Sequence, residues 1–293
     1  MLHKISITYD IITNVFREIF DNNYSVFKED YMPEDQIKKC LQKYKSSYFH
    51  DLFVNYFKPE AHNIDSLPSG GSLIVGNHSF PGWDGLSVLH SLFENYDKIT
   101  YSLIFKGMSS SNWISWFKTL GMVEGTPKMA NKLLSLDKIV QVFPGGIEDA
   151  LKTVKFRYKV RPVGGFAKGR QGYLKVAQQS GKSIIPMGIV GADEAHYILG
   201  HAQSIIHPVM KQINNSKYFD DNSWFKNLAK GVLGCKIVPI PLNIIPLNKK
   251  IDIYFGEPIK IKQKDNLDKI NKIVMREIQE LINYGLDKKI SNT

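Results

Sequence analysis

Apolar positions recur at helical spacing through roughly the first sixty residues and then give way to short apolar runs. Ile5, Ile11, Ile12, Val15, Phe16, Ile19 and Phe20 predict an amphipathic first helix. Pro33 opens a second helix at its tolerated first-turn position. Along it Ile37, Leu41, Tyr44, Tyr48, Leu52 and Tyr56 share one side, and Lys38, Lys39, Lys43 and Lys45 decorate the rest. A basic, aromatic-rich stripe suits a membrane interface or a seat on the remainder of the protein, and the pattern leaves both open. The turn-rich run Leu67-Pro68-Ser69-Gly70-Gly71 then divides an N-terminal helical segment, residues 1–64, from a body at 65–293.

In the body, apolar runs predict strands at 72–75, 99–105, 138–143, 183–190 and 251–255. Helical periodicity predicts helices at 86–95, 111–119, 127–136, 170–180 and 267–284, with Gly181 and Gly285 as stops. That alternation predicts one α/β domain with a largely parallel central sheet flanked by helices. Residues 194–246 break the rhythm. Tyr197, Ile198, Leu199, Ile205, Ile206, Trp224, Phe225, Leu228, Val232 and Leu233 mix there with Pro208, Pro239, Pro241 and Pro246, which predicts an apolar insertion before the last strand.

Composition narrows the classes. The chain has 293 residues, 43% of them hydrophobic, which supports a substantial core. The formal net charge of +10 attracts anionic partners. Lysine is spread rather than blocked, so an anionic membrane surface or an acidic substrate is favoured, and no nucleic-acid partner is expected. Cys40 and Cys235 are too few and too far apart for a disulfide framework or a cysteine zinc site, and no metal is expected. No secretory signal is visible and no window approaches 18 uncharged apolar residues. The expected location is the cytoplasmic side, soluble or peripheral to a membrane.

Three segments carry candidate chemistry. Asn77-His78-Ser79-Phe80-Pro81-Gly82-Trp83-Asp84-Gly85 places a histidine after a strand and a carboxylate near the next helix. A carboxylate in that position can fix an imidazole tautomer, and it can equally cap the helix. Val142-Phe143-Pro144-Gly145-Gly146-Ile147-Glu148-Asp149-Ala150 ends a strand in paired glycines, whose N–H groups can meet an oxyanion or simply make a tight turn. Gly181-Lys182-Ser183 fails as a phosphate loop because Val176 stands where the motif needs glycine. No hydrolase elbow, zincin helix or dinucleotide fingerprint is present.

Taken in order, these segments resemble the glycerolipid and lysophospholipid acyltransferase superfamily. Asn77-His78 to Asp84 is similar to its His/Asp signature, Lys106 to Gly121-Met122-Val123 to its second block, and Phe143-Pro144-Gly145-Gly146 to its third. Ile184-Ile185-Pro186-Met187 is similar to its fourth. Gly169-Arg170-Gln171-Gly172-Tyr173 and Phe255-Gly256-Glu257-Pro258 also look like family segments, so the resemblance covers about 65–262. The spacing between His78 and Asp84 is one residue longer than the family pattern. Gly145 and Glu148 stand where phosphatidate-forming members carry a Glu and an Arg, a form similar to the monoacylglycerol and diacylglycerol acyltransferase-like branch.

The resemblance implies an acyltransferase that moves a fatty acyl group from acyl-CoA or acyl-ACP to a glycerolipid or lysophospholipid hydroxyl. His78 would act as general base and Asp84 as its orienting partner. Asn77, Lys106, Phe143, Pro144, Gly145, Gly146, Glu148 and Asp149 would line the acceptor and oxyanion site. Arg157, Arg161, Lys168 and Arg170 are the candidate phosphate contacts. No cofactor is implied beyond the acyl carrier. Two rival readings use the same scaffold: a hydrolase in which the pair activates water, and a lipid-binding module without turnover.

Overall fold

The structure, a computed structural model, describes residues 30–104, 114–160, 171–218, 226, 233 and 237–291. The first expected helix, Lys106, Arg161, Lys168 and Arg170 lie outside the described residues.

The expected second helix is two helices, α1 (Glu34–Lys45) and α2 (Tyr48–Phe57). The break falls at Ser46-Ser47, where the Ser47 hydroxyl accepts the His50 N–H at 3.2 Å and caps α2. Pro33 is the residue before α1 rather than its first turn. The α1 stripe is not a membrane face: Ile37, Leu41 and Tyr44 are buried in the main core. Phe53 and Phe57 of α2 are buried in a second cluster.

Next come β1 (Glu60–His62), β2 (Leu73–Gly76), α3 (Trp83–Tyr96), β3 (Thr100–Ile104), α4 (Ile114–Thr119), β4 (Met122–Glu124) and α5 (Pro127–Ser135). They are followed by β5 (Ile139–Val142), α6 (Gly146–Ala150), α7 (Gly172–Ser180), β6 (Ile184–Val190), α8 (Ala192–Ala195), β7 (Ile198–His201) and α9 (Gln203–Asn215). The chain closes with β8 (Pro239–Pro241), β9 (Asp252–Phe255) and α10 (Leu267–Ser291).

Seven strands form one sheet in the order β1-β9-β6-β2-β5-β3-β4. From β6 to β4 every pairing is parallel; β9 runs antiparallel to β6, and β1 runs parallel to β9. The mostly parallel sheet flanked by helices is the α/β architecture expected. The sheet begins at β1, ahead of residue 65, so the described part of the N-terminal segment is built into it.

The sheet is buried on both faces, as a parallel sheet requires. Leu73 and Val75 of β2 point into one apolar cluster and Ile74 into the other. Every residue of β6 is buried. The helix α10 packs on β6 and β9 and runs through Gly285 to Ser291, well past the expected stop. A Cβ at Gly285 would lie 2.5 Å from the Tyr254 ring and 2.8 Å from Val190. The glycine is there for close helix–sheet approach, and the sequence pattern misreads it as a terminator. The 194–246 insertion leaves the main sheet and returns through a small antiparallel pair, β7 and β8.

Candidate active site

Three neighbouring parallel strands, β5, β2 and β6, end side by side. Their carboxyl ends are where open α/β sheets build ligand sites, because successive loops diverge there and leave a crevice. The loop after β2 carries His78, the turn after β5 leads into α6 with Asp149, and the segment after β6 carries Asp193.

His78 Nδ1 lies 2.7 Å from Asp84 Oδ2. The same oxygen accepts the Ser79 N–H at 2.8 Å, while Asp84 Oδ1 accepts the Gly85 N–H at 2.8 Å. Asp84 is fully buried in the first turn of α3, and the residue that caps this helix is Gly82, so the capping role open to Asp84 in the sequence is not the one it has. An ionised carboxylate only accepts, so Nδ1 carries the proton and the lone pair of the neutral ring sits on Nε2. The His78 side chain is 23% exposed, and its ring stacks on Phe143 with centroids 4.4 Å apart and planes 9° apart. A Cβ on Gly85 would reach the same Phe143 ring at 3.5 Å, so the glycine leaves room for that stack.

Burial works against a charged His78. Asp84, by charge and by hydrogen bond, and Asp149 outweigh that penalty and the opposing field of Lys152, so the imidazole pKa is raised above the ordinary histidine value.

A buried group of charges holds the loop from behind. Asp149 Oδ2 accepts the His78 N–H at 2.7 Å. Lys152 Nζ donates to the His78 carbonyl oxygen and lies 2.9 Å from Asp193 and 3.3 Å from Asp149. Burial pulls the Lys152 pKa down, but its two carboxylate neighbours outweigh it and the net shift is upward. Burial also raises the Asp193 carboxyl, against the pull of Lys152. Sequence reasoning missed Lys152 and Asp193. Neither lies in a recognisable block, and the only signal was a lysine at i+3 from Asp149.

Several residues expected to meet substrate are engaged elsewhere. Asn77 Nδ2 donates to the Ile189 carbonyl at 3.0 Å and its Oδ1 accepts the Ile189 N–H at 2.8 Å. It continues the β2–β6 ladder by one rung, and the residue is buried. Asp149 is buried, with its Oδ2 on the His78 N–H. The Gly146 N–H is bonded to the Phe143 carbonyl at 2.9 Å, so it closes a turn instead of offering an oxyanion donor. A Cβ on Gly145 would fall 2.3 Å from that of Asp149, so Gly145 makes space for the carboxylate. Pro144 is buried, while Phe143 and Glu148 keep partial exposure.

A cleft beside the loop is lined by Phe80, Lys152, Arg157, Asp193 and His196, among others. The Arg157 guanidinium lies 5.0 Å from the Tyr197 ring centre and 5.7 Å from that of Tyr158, and its buried Nη1 has no hydrogen-bond partner among the described residues. His196 is a useful contrast to His78. Its Nδ1 donates to the Asn243 carbonyl at 3.1 Å and its Nε2 accepts from Trp83 Nε1 at 3.2 Å, so both nitrogens are occupied. Burial keeps its pKa below the ordinary value.

No protein-family model matches the chain. It is 22% identical to phytyl ester synthase 2 of Arabidopsis thaliana over 95% of its length and 46% of the relative. It is 21% identical to phytyl ester synthase 1 of the same plant over 92% and 44%. An uncharacterized protein of Mycobacterium leprae is 25% identical over 71% of the chain and 52% of the relative. The chain thus spans about half the length of the curated relatives it matches. Among solved structures, the 1-acyl-sn-glycerophosphate acyltransferase PlsC of Thermotoga maritima superimposes with a TM-score of 0.52, covering 95% of this chain and 97% of that one. At 15% identity that match establishes a common fold. In fold the chain is thus similar to a 1-acyl-sn-glycerophosphate acyltransferase, and in sequence it is similar to the phytyl ester synthases.

Proposed function

We propose that the chain is an O-acyltransferase that carries an acyl group from an acyl-CoA or acyl-ACP thioester to a lipid hydroxyl. One observation carries the reading: Asp84 holds His78 Nδ1 at 2.7 Å while Nε2 is left for a substrate. An acceptor hydroxyl against Nε2 gives up its proton as its oxygen attacks the thioester carbonyl. The C–S bond then breaks, and the imidazolium returns the proton to the departing thiolate. Asp84 keeps the ring oriented and stabilises the imidazolium between the two transfers. The stacked Phe143 fixes the ring plane, and Phe80 offers an apolar wall at the cleft.

The acceptor in this reading is an uncharged lipid alcohol rather than a lysophosphatidate. Two relatives are named as phytyl ester synthases, and Glu148 stands where phosphatidate-forming members have an arginine that can grip a phosphate with two parallel bonds. Arg157, at the cleft with Nη1 unpartnered, supplies the contact for an anionic group of the donor.

The excursion after β6 makes the peripheral membrane contact. Ile205, Leu242, Ile244 and Ile245 are 64–88% exposed there on a chain of net charge +10, a combination that suits an anionic lipid surface. No helix of the described residues is long and apolar enough to cross a membrane.

The test is transfer of labelled acyl-CoA to a panel of lipid alcohols in vesicles, with and without acceptor. Replacing His78 with Ala should remove transfer by roughly 10²–10⁴-fold while circular dichroism is unchanged. Undiminished transfer by that folded variant overturns the role of His78. Thiol release that ignores the acceptor would make the protein a hydrolase.

A further inference from the structure

Twelve residues beyond His78 along the chain, a second group of polar side chains is partly buried and has no part in the proposed acyl transfer. His90 and Glu94 sit one turn apart on α3, and His50 reaches them from the first turn of α2. One ligand atom from each of the three lies within 4.8 Å of the others. We propose that His50, His90 and Glu94 form a site for a divalent transition metal of the zinc type, which clips α2 to α3.

The donor set is the first argument. Two imidazoles and a carboxylate are borderline ligands that zinc prefers, and a fourth position is left for water. The surrounding contacts are the second. His50 Nδ1 lies 3.3 Å from Asp51 Oδ1, which directs Nε2 toward Glu94. Metal-bound histidines carry an outer carboxylate in this way. That Nε2 is buried and has no hydrogen-bond partner among the described residues. Glu94 divides its two oxygens: Oε2 is 2.7 Å from Lys45 and Oε1 is 4.0 Å from His50 Nε2. Ligand atoms around tetrahedral zinc stand roughly 3.4 Å apart, so from separations of up to 4.8 Å side-chain rotations must draw them together by up to about 1.4 Å.

A second group on the sheet edge shows what a satisfied cluster looks like. Glu60, His62 and Asp252 are equally close together. Lys250 lies 2.6 Å from Glu60 and 2.8 Å from Asp252, and His62 Nε2 lies 2.9 Å from Asp252. The chain supplies its own cation there. At His50 the lysine reaches only the outer oxygen of Glu94, and the imidazole nitrogen facing inward is left unpaired.

The site is independent of the chemistry at His78, and so is its test. Untagged, chelator-stripped protein is titrated with zinc chloride in a calorimeter, and with cobalt(II) while visible absorption is followed. We expect one ion per chain, tetrahedral-type cobalt bands, and a zinc-dependent rise in the thermal midpoint. His50→Gln, His90→Gln and Glu94→Gln should each weaken binding at least about tenfold, and His62→Gln should leave it unchanged. Absence of binding by the stripped wild type overturns the proposal. So does binding that survives the His50→Gln/His90→Gln double variant, or binding that is lost in His62→Gln.

Discussion

At the carboxyl ends of β5, β2 and β6, polar side chains are buried and bonded to one another, whereas in the excursion after β6 large apolar side chains stand in solvent. Asp84 is 0% exposed and Lys152 6%; Ile244 is 88% and Ile245 77%. Each region inverts the rule for stability. Buried charges cost several kcal/mol apiece unless they are paired, and exposed isoleucines contribute nothing to a core. The contrast separates two jobs. The first region fastens its loop, with Asp84, Asp149 and Lys152 each bonded to His78. The second is the region proposed to meet a lipid surface. His78 and His196 show the same divide at the scale of one ring: the first has one nitrogen committed and one left open, the second has both committed.

The strongest way to break the comparison is Asp84→Asn. It removes the anion that fixes the His78 tautomer, and transfer should fall on the order of 10³–10⁴-fold, as in other His-Asp pairs. The pH profile sharpens the result. A general base works when neutral, and the His78 pKa is raised, so wild-type transfer should fall as pH drops through a midpoint above the ordinary histidine value. In Asp84→Asn the residual midpoint should move down. The same shift acts on stability with the opposite sense. The imidazolium–Asp84 pair stabilises the fold fully below the unfolded histidine pKa, and that contribution is lost as pH rises through the folded value. A midpoint unchanged by the substitution would show that Asp84 does not tune His78.

Lys152→Met tests the charges behind the loop. It leaves Asp149 and Asp193 buried without their cation and should cost about 3–5 kcal/mol in denaturant unfolding. Adding Asp193→Asn should restore part of that loss, since one carboxylate no longer needs a partner. A Lys152→Met protein of wild-type stability would mean that the charges do not hold the loop.

The smallest effect on the fold belongs to the excursion. Ile244→Ser with Ile245→Ser should leave unfolding within about 0.5 kcal/mol of wild type. Sedimentation with anionic vesicles should nonetheless decrease, and vesicle binding equal to wild type would move the membrane contact elsewhere.

Much of this architecture was legible in the chain. Strands 73–76, 139–142, 184–190 and 252–255 fall within a residue or two of the apolar runs that announced them, because a doubly buried strand must be continuously apolar. The break between α1 and α2 was not legible, since the apolar spacing continues across Ser46-Ser47 and only the cap marks the stop. Gly285 failed for the opposite reason: glycine usually ends a helix, and here contact with Tyr254 demands it inside one.

The sequence by itself determined that His78 and Asp84 follow a strand and open a helix, because that information is local. Their neighbourhood was decided by the sheet order. Placing β5 and β6 on either side of β2 brings Asp149 and Lys152, and then Asp193, behind His78 across more than seventy residues of chain. It also turns Asn77 and Asp149, both readable as substrate contacts, into struts. A side chain's type states which bonds it can make. Only the packed structure states which partner is close enough to take them, because the cost of leaving a buried polar atom unbonded is paid in three dimensions.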